Sequence, residues 1–231
     1  MRSSRRVLVS LFIVLVGVGT VSAADWPQFR GPGRDGTSPE TGLMKQWPDG
    51  GPAELWSCAG LGEGFSSVAI ADGVVYVCGM ISRQGYLFAI DSQGKVKYKV
   101  NYGPEWDKAG NLPGTRTTPT VDGERLYIMS GQGRIACYNA VDGKRIWYVD
   151  TLKKFAGKNI RWGIAESVLI DGDKAICTPG GKEATVVALN KMTGETVWTS
   201  KGLSQLSAYC SPILVERGPN RLILTLGPVK K

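Results

Sequence analysis

The chain has 231 residues, with 28 Lys and Arg against 20 Asp and Glu, a formal net charge of +8 and no histidine. The lack of histidine excludes Ser-His-Asp and Cys-His catalytic arrangements and removes the commonest zinc ligand. The length suits one sizeable core, and the modest basic excess comes with no nucleic-acid-binding motif. Lys95, Lys97 and Lys99 alternate as on the solvent face of a strand, and Lys153, Lys154, Lys158 and Arg161 form a looser loop cluster. Both read as solvated surface, so nucleic acid is not an expected partner.

In chain order, the first element is a leader. Arg2, Arg5 and Arg6 precede a predominantly apolar run from Val7 to Gly19, followed by the small residues Ser22, Ala23 and Ala24. This order is that of a secretory signal peptide at 1–23, with cleavage after Ala23 or Ala24. The run falls short of the roughly 20 apolar residues of a spanning helix. The expectation is therefore an exported chain, periplasmic or secreted, with no stable membrane insertion after cleavage; an uncleaved anchor is the alternative. No cysteine lies near the cut, which speaks against a lipid anchor. The five cysteines, Cys58, Cys78, Cys137, Cys177 and Cys210, are scattered. An odd number leaves at least one unpaired in a monomer, and no pairing is assigned.

Residues 24–54 are rich in glycine and proline. Trp26-Pro27-Gln28-Phe29-Arg30-Gly31-Pro32-Gly33-Arg34-Asp35-Gly36 is unsuited to a central strand. It is expected to run across the surface to Leu55-Trp56, which has the look of a last blade strand lacking the three before it.

A repeat then occupies 55–231. Asp72-Gly73, Asp122-Gly123 and Asp171-Gly172 recur at about 50-residue intervals, each between two short apolar runs, which is a hairpin signal. The second half of each unit also recurs: Tyr86-Leu87-Phe88-Ala89-Ile90-Asp91, Arg134-Ile135-Ala136-Cys137-Tyr138-Asn139, and Thr185-Val186-Val187-Ala188-Leu189-Asn190. A turn around Gly94, Gly143 or Gly194 follows, then a strand bearing Tyr98, Trp147 or Trp198. Four antiparallel strands per unit is the pattern of one β-propeller blade. The predicted fold is all-β, an incomplete propeller of about 3.5 blades, at 62–100, 113–150, 162–200 and 207–231. Because one blade buries too little alone, blades must stack. Trp56, Tyr98, Trp147 and Trp198 are accordingly read as structural anchors between blades. The fourth unit begins at Ser207-Ala208-Tyr209-Cys210-Ser211-Pro212 and stops half-way, so a truncated chain is expected.

The strings Ala188-Leu189-Asn190-Lys191-Met192-Thr193-Gly194-Glu195-Thr196-Val197-Trp198, Leu87-Phe88-Ala89-Ile90-Asp91 and Asp142-Gly143-Lys144-Arg145-Ile146-Trp147 resemble pyrroloquinoline-quinone (PQQ)-like propeller repeats. The resemblance covers nearly all of 25–226. It implies one of two kinds of protein: quinoprotein alcohol or sugar dehydrogenases that bind PQQ with calcium, or cofactor-free BamB-type factors that assist outer-membrane protein assembly. The dehydrogenases' adjacent-cysteine pair has no counterpart here, and no catalytic residue or metal ligand carries over. Resemblance licenses fold before chemistry.

The reading adopted is an exported binding scaffold with a protein partner in the cell envelope; the alternative is a fragment of a PQQ-dependent dehydrogenase. Its candidate ligand contacts start the innermost strands, at the channel mouth: Arg116 for an anionic group, Trp162 for stacking, Glu166 for coordination or proton acceptance, and Tyr209. The longer segments Tyr102 to Gly114 and Leu152 to Ile160 are expected to serve as recognition loops.

Overall fold

The computed structural model describes residues 24–108, 110 and 112–228; the leader expected at 1–23 lies outside the described residues. The first blade comprises β1 (Ala69–Ala71), β2 (Val74–Ile81), β3 (Gln84–Ile90) and β4 (Val96–Pro104). The second comprises β5 (Thr120–Asp122), β6 (Arg125–Met129), β7 (Arg134–Asn139) and β8 (Arg145–Asp150). A four-residue helix, α1 (Thr151–Lys154), follows, capped by the Asp150 carboxylate accepting from Lys153 N–H. The third blade comprises β9 (Leu169–Asp171), β10 (Lys174–Cys177), β11 (Val187–Asn190) and β12 (Thr196–Thr199), and a two-stranded sheet of β13 (Ile213–Arg217) and β14 (Asn220–Leu224) ends the array. Within each sheet the strands are antiparallel and follow chain order, as a meander requires. The expected all-β propeller arc of three full blades and part of a fourth is what the chain forms.

The Asp-Gly hairpins divide into two kinds. Ala71 pairs Val74, so Asp72 (φ 50°) and Gly73 (φ 71°) are the central residues, both left-handed as a type I′ turn demands. In the next two blades the aspartate itself is paired, Asp122 with Arg125 and Asp171 with Lys174. There Gly123 or Gly172 takes the first central position, and it alone has positive φ, the pattern of a type II′ turn.

The core lies between blades. Leu126 and Ile128 face the first blade, packing with Ala69, Tyr76, Leu87 and Tyr102. Tyr127 and Met129, on the other face of the same strand, pack with Val168, Ala175, Val187 and Leu189 of the third. Alternate side chains of a strand point to opposite faces, so a sheet buried on both sides needs an unbroken apolar run. That is why β6 reads Leu-Tyr-Ile-Met.

Tyr98 and Trp147 each reach across to the following blade. Tyr98 Oη donates to Ala140 O at 2.8 Å, and Trp147 Nε1 donates to Lys191 O at 3.0 Å. Each ring lies over the turn glycine of the following blade, Gly143 or Gly194. Trp56 covers Gly94 in the same manner, although Leu55-Trp56 is not a strand, contrary to expectation. Trp198 and, from the last sheet, Ile223 pack against one cluster of third-blade residues, Leu169, Ile176, Val186 and Ala188.

The segment 24–37 does more than cross the surface. Trp26 exchanges backbone hydrogen bonds with Ile70 of β1, and Val121 N–H of β5 donates to Pro27 O at 2.7 Å. Arg34, only 5% exposed, donates to Ser167 O and Val168 O at the start of β9. Three anchors therefore fall on three successive innermost strands. In the two segments expected to serve as recognition loops, Glu105 and Phe155 are buried, against the β6–β7 and β10–β11 turns of the next blade.

Candidate functional site

Each blade opens with a short extended segment before its innermost strand, and these segments have one design. A hydroxyl residue stands at Ser67, Thr118, Ser167 and Ser211. Ser67 N–H donates to Thr118 Oγ1 (3.3 Å), Thr118 N–H to Ser167 Oγ (2.9 Å), and Ser167 N–H to Ser211 Oγ (2.9 Å). The hydroxyls of Thr118, Ser167 and Ser211 thus each satisfy a backbone donor of the preceding blade, where a strand ladder has no partner to offer.

One residue earlier the side chain turns back onto its own blade. Ser66 Oγ accepts from Cys78 N–H, Thr117 Oγ1 from Met129 N–H, and Cys210 Sγ from Leu226 N–H. In the third blade Glu166 holds this place, with its carboxyl accepting from Thr178 N–H at 3.0 and 3.1 Å and from the Thr178 hydroxyl. Glu166 is fully buried. Burial pushes its carboxyl up to about 8, while the Thr178 N–H and the charge of Arg34 pull the other way. Arg34 is in turn lowered to about 10 by its own burial, an effect Glu166 opposes.

Two residues before each hydroxyl, the side chain points into the channel mouth. These residues are Phe65, Arg116, Ala165 and Tyr209, one per blade, and together with Phe29, Leu112 and Trp162 they line an open cavity of about 490 Å³. Trp162 and Tyr209 meet with ring centroids 5.1 Å apart, and Trp162 N–H donates to Tyr209 Oη at 3.2 Å. The Arg116 guanidinium donates to Gly114 O at 2.7 Å and to Leu112 O, which braces the loop, and lies 5.5 Å from the Phe65 ring centre. Burial lowers the Arg116 pKa, and the negative charge of Glu105 acts in the opposite sense.

The structure therefore brings Arg116, Trp162 and Tyr209 together and turns Glu166 away from them. The sequence reading missed Phe29 and Phe65. Phe65 was findable, since it occupies the repeat position of Arg116 and Tyr209; Phe29 was not, because no repeat contains it. The mouth offers aromatic rings, a phenol and one guanidinium, with no carboxylate among its described lining residues. Among the described residues no group of three or more His, Cys, Asp or Glu stands together to hold a metal. These donors do not fit calcium, which takes 6–8 oxygen ligands, many of them carboxylate. No helix among the described residues is long and apolar enough to cross a membrane.

Fold and mouth together define a β-propeller repeat protein of the PQQ type. A family model described as "Outer membrane protein assembly factor BamB" matches residues 103–226, and the chain belongs to that family. The outer membrane protein assembly factor BamB of Bordetella pertussis is 25% identical over 182 residues, covering 77% of this chain. The chain spans 40% of that relative's length. Among solved structures, the quinohemoprotein alcohol dehydrogenase from Comamonas testosteroni superposes with a TM-score of 0.58 at 20% identity, covering 75% of this chain and 26% of that one. The computationally designed Ika4 protein superposes with a TM-score of 0.50 at 11% identity, covering 76% of this chain and 99% of that one. At such identities both likenesses speak to fold alone.

Proposed function

We propose that this chain is an exported propeller scaffold that binds a protein partner of the cell envelope at its channel mouth. The observation that carries the reading is the mouth itself. Phe29, Phe65, Leu112, Trp162 and Tyr209 are all at least 36% exposed around one partly buried guanidinium. Apolar residues gathered in this way on a protein surface mark interaction sites, and aromatic side chains with arginine dominate binding hot spots. Phe65, Arg116 and Tyr209 stand just before blade strands that hold them in place, which limits the ordering entropy that opposes binding. The occupant that fits is an extended polypeptide segment with aromatic or aliphatic side chains. The BamB membership supports a role in protein assembly, and the leader at 1–23 supports export. The dehydrogenase alternative has no calcium-ligand set in the mouth to support it.

The test places a photo-crosslinking amino acid at position 162 in cells, with position 141 on the exposed β7–β8 turn as control. The expected result is an adduct with an envelope protein from position 162 and not from 141, weakened about tenfold by Arg116→Ala. Equal adducts at both positions, or none at 162, would sink the reading. Export is checked separately: the mature chain should be recovered from the envelope beginning at Ala24 or Asp25, and an intact Met1 in the cytosol contradicts it.

A further inference from the structure

The segment 26–37 carries three connected observations. Its backbone bonds to β1 through Trp26 and to β5 through Pro27. Its Arg34 is sunk into the start of β9, with Nη1 donating to Val168 O (2.9 Å) and Gln28 Oε1 (2.9 Å) and Nη2 to Ser167 O (2.8 Å). Between these anchors Phe29 emerges as a wall of the channel mouth.

The segment is also folded on itself. Arg34 N–H donates to Gly31 O, and Gly36 N–H donates to Arg30 O. The Trp26 indole lies on Gly31 (φ 79°), so close that a Cβ there would come within 2.6 Å of the ring. Arg30 Nη2 donates to Asp35 O, and Asp35 Oδ1 accepts from Thr37 N–H and Oγ1. Such a piece behaves as a preformed clip.

We infer that residues 26–37 are a strap that assembles the mouth: Arg34 locks it across three blades, and Phe29 is a specificity-determining residue of the binding site. The inference rests on the mouth being the binding site. Its physical reason is that Phe65, Arg116, Ala165 and Tyr209 each belong to a different blade. Their spacing depends on how the blades are rotated about the axis, and the strap fixes three of those blades to one another. Sequence repeats alone do not supply this, because the strap stands outside the repeat.

The test uses the chain from residue 24 with three variants: Arg34→Ala, Gly31→Val and Phe29→Ala. Amide hydrogen exchange is read at Val121 and Ile70, whose N–H groups bond the strap, against Leu126 in β6. Binding of anilinonaphthalene sulfonate, an aromatic anion suited to rings beside a guanidinium, reads the mouth. Arg34→Ala and Gly31→Val should raise exchange at Val121 and Ile70 by about tenfold or more, leave Leu126 protected, and weaken dye binding about fivefold or more. Phe29→Ala should weaken dye binding without loosening either amide.

Unchanged exchange in both strap-releasing variants would overturn the strap. Released amides with unchanged dye affinity would overturn the role of Phe29, as would a parent chain that shows no saturable dye binding. Should Arg34→Ala unfold globally, Gly31→Val carries the test, since the atoms nearest a Cβ at position 31 all belong to the Trp26 ring of the strap itself. Failure of the crosslinking test with strap exchange behaving as stated would sink the partner reading, and with it the specificity role of Phe29, while leaving the strap itself in place.

Discussion

The indole of Trp147 in the second blade lies against Gly194 in the third, so close that a Cβ on that glycine would sit 2.8 Å from the ring. Gly194 also has φ 77°, a conformation other residues adopt at a cost. Gly194→Ala should therefore lose stability twice over, by about 1–2 kcal/mol for the backbone and a further 1–3 kcal/mol for overpacking. Gly172, with φ 58° and open space around it, should show the backbone loss alone. Urea denaturation of both variants measures the difference. Equal losses would mean that the ring moves aside freely.

Trp147 itself should be among the most sensitive residues of the chain. It is 9% exposed and packs with Tyr127, ring centroids 6.1 Å apart. Trp147→Ala is expected to cost about 3–5 kcal/mol. Trp147→Phe keeps most of the packing but leaves Lys191 O with Tyr127 Oη as its remaining side-chain donor, and is expected to cost about 1–2 kcal/mol. A smaller loss for Ala than for Phe would contradict the anchor role.

The hydroxyl ladder yields a local prediction. Ser167→Ala removes the acceptor of Thr118 N–H, and both residues are at most 2% exposed. A buried donor left without a partner costs about 1–3 kcal/mol. Exchange at the Thr118 amide should accelerate more than at amides within β6. Uniform acceleration through the second blade would show instead that the whole sheet had loosened.

Glu166 gives the chain a pH dependence. An unperturbed glutamate ionises near 4.5, and this one near 8, because burial disfavours its charge. The folded state thus holds a proton that the unfolded state releases as pH rises from about 5 to 8, and stability should fall by more than about 1 kcal/mol through that window, levelling off above it. Glu105, also pushed up by burial, acts in the same direction. Glu166→Gln should flatten the profile without abolishing it, as read from urea midpoints between pH 5 and 8. An unchanged slope would show that Glu166 is ionised throughout.

Much of the fold was legible because repeats report architecture directly. The Asp-Gly hairpins, the aromatic fourth strands and the apolar runs are where the sequence puts them, since strand pairing and turn chemistry are local. Arg116 and Tyr209 share one cavity because equivalent positions in stacked repeats converge on the axis; Trp162, three residues before the equivalent Ala165, joins them through its contact with Tyr209. Glu166 departs from them by one residue. In an extended segment that single step reverses the side chain, from the channel to its own blade. What separates the two directions is the capping part that Ser66, Thr117 and Cys210 share with Glu166, a feature of the folded blades.

Residue order alone determined the blade, its period and the residues that wedge neighbouring sheets together, for these follow from backbone alternation and from glycines that tolerate positive φ. Tertiary structure decided that Phe29 completes the mouth and that Arg34 is buried in the third blade. Both depend on contacts between the strap and distant residues, from Ile70 and Val121 to Val168, which lies 134 positions from Arg34. Such contacts arise only when separate blades are rotated about a common axis, a geometry that no local pattern encodes.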